Sequence, residues 1–197
     1  MREPCLQHSN VYIITNCTGR KPQLLLGGDQ LLSPAWRERF LLFWNHFRHA
    51  EPEHPVFQTH GERLHMCFPV SLYGDEGRGR SKTPCLVATS SPLIGGGAHS
   101  LDTKLLYTTC FSADYLKTRD RKNHTLLAII EHLSREAAEL FLQGVPLPDP
   151  AGTNLVIKLY PVVVAIKGDW EWILKNVQTD PNVQREPCLL AVHGRSP

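Results

Sequence analysis

Leu155-Val156-Ile157-Lys158-Leu159-Tyr160-Pro161-Val162-Val163-Val164-Ala165-Ile166, running on into Lys167-Gly168-Asp169-Trp170-Glu171-Trp172, is the stretch on which the fold turns. Its centre, Val162 to Ile166, is continuously apolar and rich in β-branched residues. That is the character of a strand covered on both faces, where no alternation with polar residues is needed. A strand of this kind belongs inside a sheet, and its neighbours have to come from earlier in the chain.

Working outward, Cys67-Phe68-Pro69-Val70-Ser71-Leu72-Tyr73 reads as a first strand leading into Gly74-Asp75-Glu76-Gly77-Arg78-Gly79-Arg80, a glycine-rich turn. Residues 84–90 read as a second strand and residues 105–113 as a third, separated by a loop with Gly95-Gly96-Gly97. Short connections favour an antiparallel meander. A helix follows, capped by Asn123 or Thr125 and closed by Gly144, with Leu126, Ile129, Ile130, Leu133, Ala137, Leu140 and Phe141 as its apolar stripe. Residues 146–150 read as loop, and a short helix is expected from about Trp170 to Val177. The expected class is therefore α/β: three antiparallel strands, a helix as crossover, then a fourth strand parallel to the first. In that arrangement Asp75, after strand one, and Asp169, after strand four, meet at one edge of the sheet.

Two neighbouring carboxylates repel unless a cation lies between them. Mg²⁺, or Mn²⁺ in its place, accepts one or two carboxylates together with phosphate oxygens, and a pair of such ions activates a phosphodiester for displacement. Asp75 and Asp169 are the candidate catalytic and metal-ligating residues. Arg78, Arg80, Lys82 and Lys167 are the candidate nucleic-acid contacts, since ammonium and guanidinium groups neutralise phosphate. The plainer alternative is that Asp75 is a turn residue and Asp169 a helix cap. No phosphate-cradling G-x-x-x-x-G-K-[ST] loop and no nucleophile elbow occur.

Composition limits the remaining choices. The 197 residues carry 21 Lys+Arg against 19 Asp+Glu, a net charge of +2, and 42% are hydrophobic. Such a chain can build a core, and it is neither a disordered polyampholyte nor a globally basic nucleic-acid packer. No apolar run reaches the roughly 18 residues a membrane span requires, and Met1-Arg2-Glu3-Pro4-Cys5 lacks the pattern of a secretory signal. The 6 cysteines show no C-x-x-C, so reduced thiols in an intracellular setting are expected.

In the first 60 residues the main feature is a helix from about Pro34 to His49, started by Ser33 and ended by Glu51-Pro52-Glu53-His54-Pro55. Its face of Trp36, Phe40, Phe43, Trp44 and Phe47 is expected to dock on the chain's own core rather than on a partner. His46 and His49 have a spacing that can share zinc, but no four-ligand set completes it, and packed or solvated histidines are preferred. Lys117 to Lys122 is a local basic run, read as a solvated loop or a nucleic-acid contact.

The strand order with Asp75 and Asp169 resembles the ribonuclease-H-like core of DDE transposases and integrases. The segments YGDEGRGRSKTPCLV at 73–87, TTCFSA at 108–113 and VVVAIKGDWEWILK at 162–175 also look like an uncharacterised transposon-derived family of dinoflagellate genomes with GDEG and KGDW blocks and a Cys/His tail. The likeness covers roughly residues 66–193. It implies a flank over residues 1–60, a partial ribonuclease-H-like core over 61–180 and a tail over 181–197. It also implies Mg²⁺ or Mn²⁺ on Asp75 and Asp169, DNA as partner, and a nuclear location. A third acid should sit on a helix after a fifth strand. Asp180 and Glu186 lie in loop-like sequence, and the tail shows only Cys188 and His193. The expectation is accordingly a truncated or decayed copy, incomplete at the C-terminus and inactive by itself, lacking a C-terminal part or completed by a second copy. The alternative is a non-catalytic nucleic-acid-binding or protein-interaction domain that keeps the fold.

Overall fold

The computed structural model describes residue 26 and residues 33–78, 83–94, 104–116, 123–147 and 157–168. In chain order the elements are α1 (Ala35–Ala50), α2 (Pro55–Thr59), a 3₁₀ helix (Gly61–Met66), β1 (Cys67–Arg78), β2 (Pro84–Pro92), β3 (Leu105–Phe111), a 3₁₀ turn (Ser112–Asp114), α3 (His124–Gln143), β4 (Val145–Leu147) and β5 (Ile157–Gly168). The strands form one mixed sheet in the order β3-β2-β1-β5-β4.

β1 pairs antiparallel with β2, and β2 antiparallel with β3. The chain then passes through α3, which packs against β5, and β5 returns parallel to β1. A parallel neighbour cannot be reached by a tight turn, and α3 supplies the long crossover connection needed. The class is α/β, and the meander, crossover and parallel return match the order read from the sequence. One register shift interrupts the β1–β5 pairing, between Val70 and Ser71.

Several local expectations change. The stretch from Gly74 to Arg78 is strand rather than turn. Asp75 pairs with Val87, Glu76 with Leu86, Gly77 with Cys85 and Arg78 with Pro84. Cross-strand pairing overrides the turn propensity of the glycines, and Gly144 is the one glycine with positive φ among the described residues. Asp75 therefore lies within β1, not beyond it. Pro146 and Leu147, the start of the stretch read as loop, join Val145 in the edge strand β4 (Val145–Leu147) against β5. A proline is tolerated there because an edge strand leaves one side of its backbone unpaired, and Pro146 faces outward. Pro55, read as a helix stop, also starts α2 as its first residue, with the His54 Nδ1 accepting from the Val56 amide at 3.2 Å. Burial of β5 is uneven: Val162 is buried, Val163 to Ala165 are half-buried and Ile166 is exposed.

The caps read from sequence are in place. The Ser33 hydroxyl accepts from the Ala35 amide at 3.3 Å, and the Asn123 side chain accepts from the Leu126 amide at 3.1 Å. Thr125 serves elsewhere, its hydroxyl taking the Leu116 amide at 2.8 Å.

Apolar side chains gather on both sides of the sheet. One cluster joins Trp36 and Phe40 of α1 with Phe68, Val70, Leu140, Val145, Leu147 and Leu159. The other joins Trp44 with Val56, Leu64, Cys67, Tyr160 and Val162. The Trp44 indole donates to the Cys67 carbonyl at 2.7 Å, which satisfies the polar atom of a fully buried ring. The aromatic stripe of α1 thus docks within its own chain: Trp36, Phe40 and Trp44 are buried, while Phe43 and Phe47 pack at the margin. This removes the motive for a protein-interaction role of those rings. No helix among the described residues is long and apolar enough to cross a membrane.

Candidate functional site

Alternation along β1 assigns its side chains to two faces. Glu76 and its partner Leu86 lie on the α3 side, where Leu86 joins Leu126 and Ile129 in a small core bordered by Cys110 and Tyr115. Asp75 and Tyr73 lie on the opposite side. The two acids that adjoin in sequence are therefore separated by the sheet.

On the Asp75 face, the Tyr73 hydroxyl donates to Asp75 Oδ2 at 2.8 Å. Residues two apart on a strand point the same way, so the bond spans neighbouring side chains of one strand. Asp75 is half-buried. Tyr73 has Thr89 opposite it on β2 and Lys167 beside it on β5. The Lys104 ammonium lies 5.0 Å from the centre of the Tyr73 ring, a cation–π contact. One carboxylate, one phenol and two lysines thus belong to one part of the sheet. Lys104 was not among the residues singled out from sequence, because it precedes β3 and reaches Tyr73 only through strand pairing.

Lys167 is exposed on β5, and Arg78 closes β1 opposite Pro84. Asp169, Arg80 and Lys82 lie outside the described residues, as do the basic run at 117–122, the expected helix at 170–177, Asp180, Glu186, Cys188 and His193. The last parallel pair between β1 and β5 is Gly74 with Gly168. Asp75 and Asp169 are the residues that follow these two glycines in sequence.

The other face carries two tyrosine–carboxylate pairs that sequence reading missed. The Tyr115 hydroxyl donates to Glu76 Oε1 at 2.5 Å. Tyr107 donates to Glu136 Oε2 at 2.6 Å, and both of these residues are buried. Burial first, and then the adjoining carboxylate, push both phenols well above the ordinary tyrosine range, so each stays protonated as a donor. Glu136 lies just off the apolar stripe of α3. Its helical position alone could not reveal that a tyrosine from β3 accompanies it.

Among the described residues no group of three or more His, Cys, Asp or Glu is placed to hold a metal ion. His46 and His49 are exposed on α1. His54 caps α2, and His60 is buried with its Nε2 2.7 Å from the Phe141 carbonyl oxygen.

No family model, no curated protein and no solved structure matches this chain.

The chemistry open to the Asp75 face is that of an oxygen donor whose orientation is set by a phenol, bordered by ammonium groups. A carboxylate of this kind can take a hard divalent cation. The lysines can take phosphate oxygens.

Proposed function

We propose that the chain carries the opening portion of a ribonuclease-H-like polynucleotidyl-transferase core. In this reading Asp75 and Asp169 share Mg²⁺ or Mn²⁺, DNA is the substrate class, and catalysis is incomplete without a third acid. The observation that supports it most is the parallel register of β1 and β5, in which Gly74 adjoins Gly168, each followed in sequence by aspartate. An antiparallel return would instead bring Gly168 alongside the other end of β1. Asp75 and Asp169 would hold the ion, which would supply electrostatic stabilisation of a phosphoryl displacement. Lys167, beside Tyr73, stands where it could neutralise the phosphate backbone, with Arg78, Arg80 and Lys82 as further contacts.

Isothermal titration of the full chain with Mn²⁺ tests the reading. Asp75→Asn and Asp169→Asn are each expected to weaken binding by at least about tenfold, since each removes a charged ligand. Equal binding by both variants and the parent chain would sink the shared site.

A second reading is a nucleic-acid-binding domain without metal chemistry, favoured by Lys104 over Tyr73 and Lys167 beside it. It predicts salt-sensitive binding of oligonucleotides that is indifferent to divalent ions.

A further inference from the structure

The two edges of the sheet, β4 and β3, are built differently. β4 is 3 residues long and carries Pro146, two of the devices that keep an edge from recruiting another strand. β3 runs for 7 residues, Leu105–Phe111, with no proline, glycine or charge. One register shift against β2, between Ala88 and Thr89, marks a bulge, and Thr108 to Phe111 pair regularly beyond it. Among the described residues nothing pairs with the outer side of β3, whose backbone N–H and C=O groups form a template for a further strand.

The side chains of this edge narrow what fits it. Leu106, Thr109 and Phe111 pair with Thr89, Val87 and Cys85, which pair in turn with Tyr73, Asp75 and Gly77, so all three lie on the Asp75 face. Leu106 is 54% and Phe111 53% exposed, and Thr109 is exposed between them. The first charged residues on either side in sequence are Lys104 and Asp114, both exposed. A second β3 laid antiparallel sets the Leu106 end of one copy by the Phe111 end of the other, so each exposed apolar side chain meets another. It also sets the Lys104 end of each copy by the Asp114 end of its partner. Lys104 rests on the Tyr73 ring within one chain, and its flexible stem can instead reach a carboxylate of the second copy. The uncharged middle places no like charges opposite one another.

We propose that β3 is a dimerisation edge: two copies of this chain pair β3 with β3, antiparallel about a two-fold axis at Thr109, into one continuous sheet. The interface is isologous, each copy offering the same strand. It does not rest on the metal reading of Asp75.

Sedimentation equilibrium of the full chain tests it. The parent chain is expected to dimerise with rising concentration. Thr109 faces its own copy across the axis, so Thr109→Lys and Thr109→Glu each set like charges together. Each is expected to weaken self-association at least about tenfold. Mixed in equal amounts, the two variants are expected to pair with each other and recover the dimer, which also shows that both are folded. Phe111→Lys, which takes an exposed ring out of the same contact, is expected to weaken the dimer by a similar factor. A parent chain that stays monomeric at every concentration leaves the edge to another occupant and overturns the proposal. Open-ended association overturns it too, because a two-fold pairing closes. Self-association undisturbed by these charges would place the contact elsewhere, and a mixture no better than its components would remove the axis at Thr109.

Discussion

His60 shows most directly what one residue does here. It is 1% exposed, its Nε2 meets the Phe141 carbonyl oxygen, and its Nδ1 is buried without a partner. The Phe141 and Tyr160 rings lie 4.8 and 4.6 Å from the imidazole. Neutral imidazole with Nε2–H as donor suits this setting, whereas imidazolium would bury a second, unpaired N–H. Burial, and to a lesser degree the Arg63 guanidinium, lower its pKa below the usual 6.5, against the opposing pull of the Phe141 carbonyl. A folded-state pKa below the unfolded value gives stability that is full above about 6.5 and is lost as pH falls toward the folded value. His54 and His65 are lowered too, each chiefly by burial, so they act in the same direction. The urea midpoint should therefore fall between pH 8 and pH 5, and His60→Gln should flatten that fall without abolishing it. A midpoint that rises on acidification would contradict the account.

At the scale of the element, the end of α3 depends on Gly144. Its φ is 68°, and a Cβ there would come within 2.7 Å of the Tyr160 ring. The turn that ends the helix must send the chain straight into β4, and the left-handed conformation allows this only where no side chain intervenes. Gly144→Ala should cost about 2 kcal/mol in urea unfolding, combining backbone strain with displacement of a ring on which His60 rests. Gly77 supplies the control: an added Cβ there meets nothing within 4 Å. Gly77→Ala should stay within about 0.5 kcal/mol of the parent chain. Equal costs at the two positions would show that the helix end is not the constraint. The α1 helix makes the complementary point. Its buried rings recur at helical spacing and were readable as a core face, because one-sided burial imprints its period on the residues themselves.

For the whole molecule, the sheet order β3-β2-β1-β5-β4 decides which residues share a face. It gathers Tyr73, Asp75 and Lys167 from two strands and Lys104 from the approach to a third, and it sends Glu76 to the α3 side. The proposed site needs a further acid for phosphodiester cleavage. The chain should therefore bind oligonucleotides with an affinity that drops steeply as salt is raised, and should leave a Mn²⁺-supplemented DNA duplex uncut. Cleavage by the purified chain that is lost in Asp75→Asn would show that the two aspartates suffice.

The element order, the caps at Ser33 and Asn123, the docking face of α1 and the strand character of the Val162 run were all written in local sequence. Periodicity, capping chemistry and continuous apolar runs act within a few residues of where they appear. The extension of β1 through Asp75 to Arg78, the edge strand at Pro146, the Tyr107–Glu136 pair and the placement of Lys104 over Tyr73 were decided only by tertiary structure. Each depends on a partner far away in the chain, and pairing with that partner outweighed what the local residues preferred.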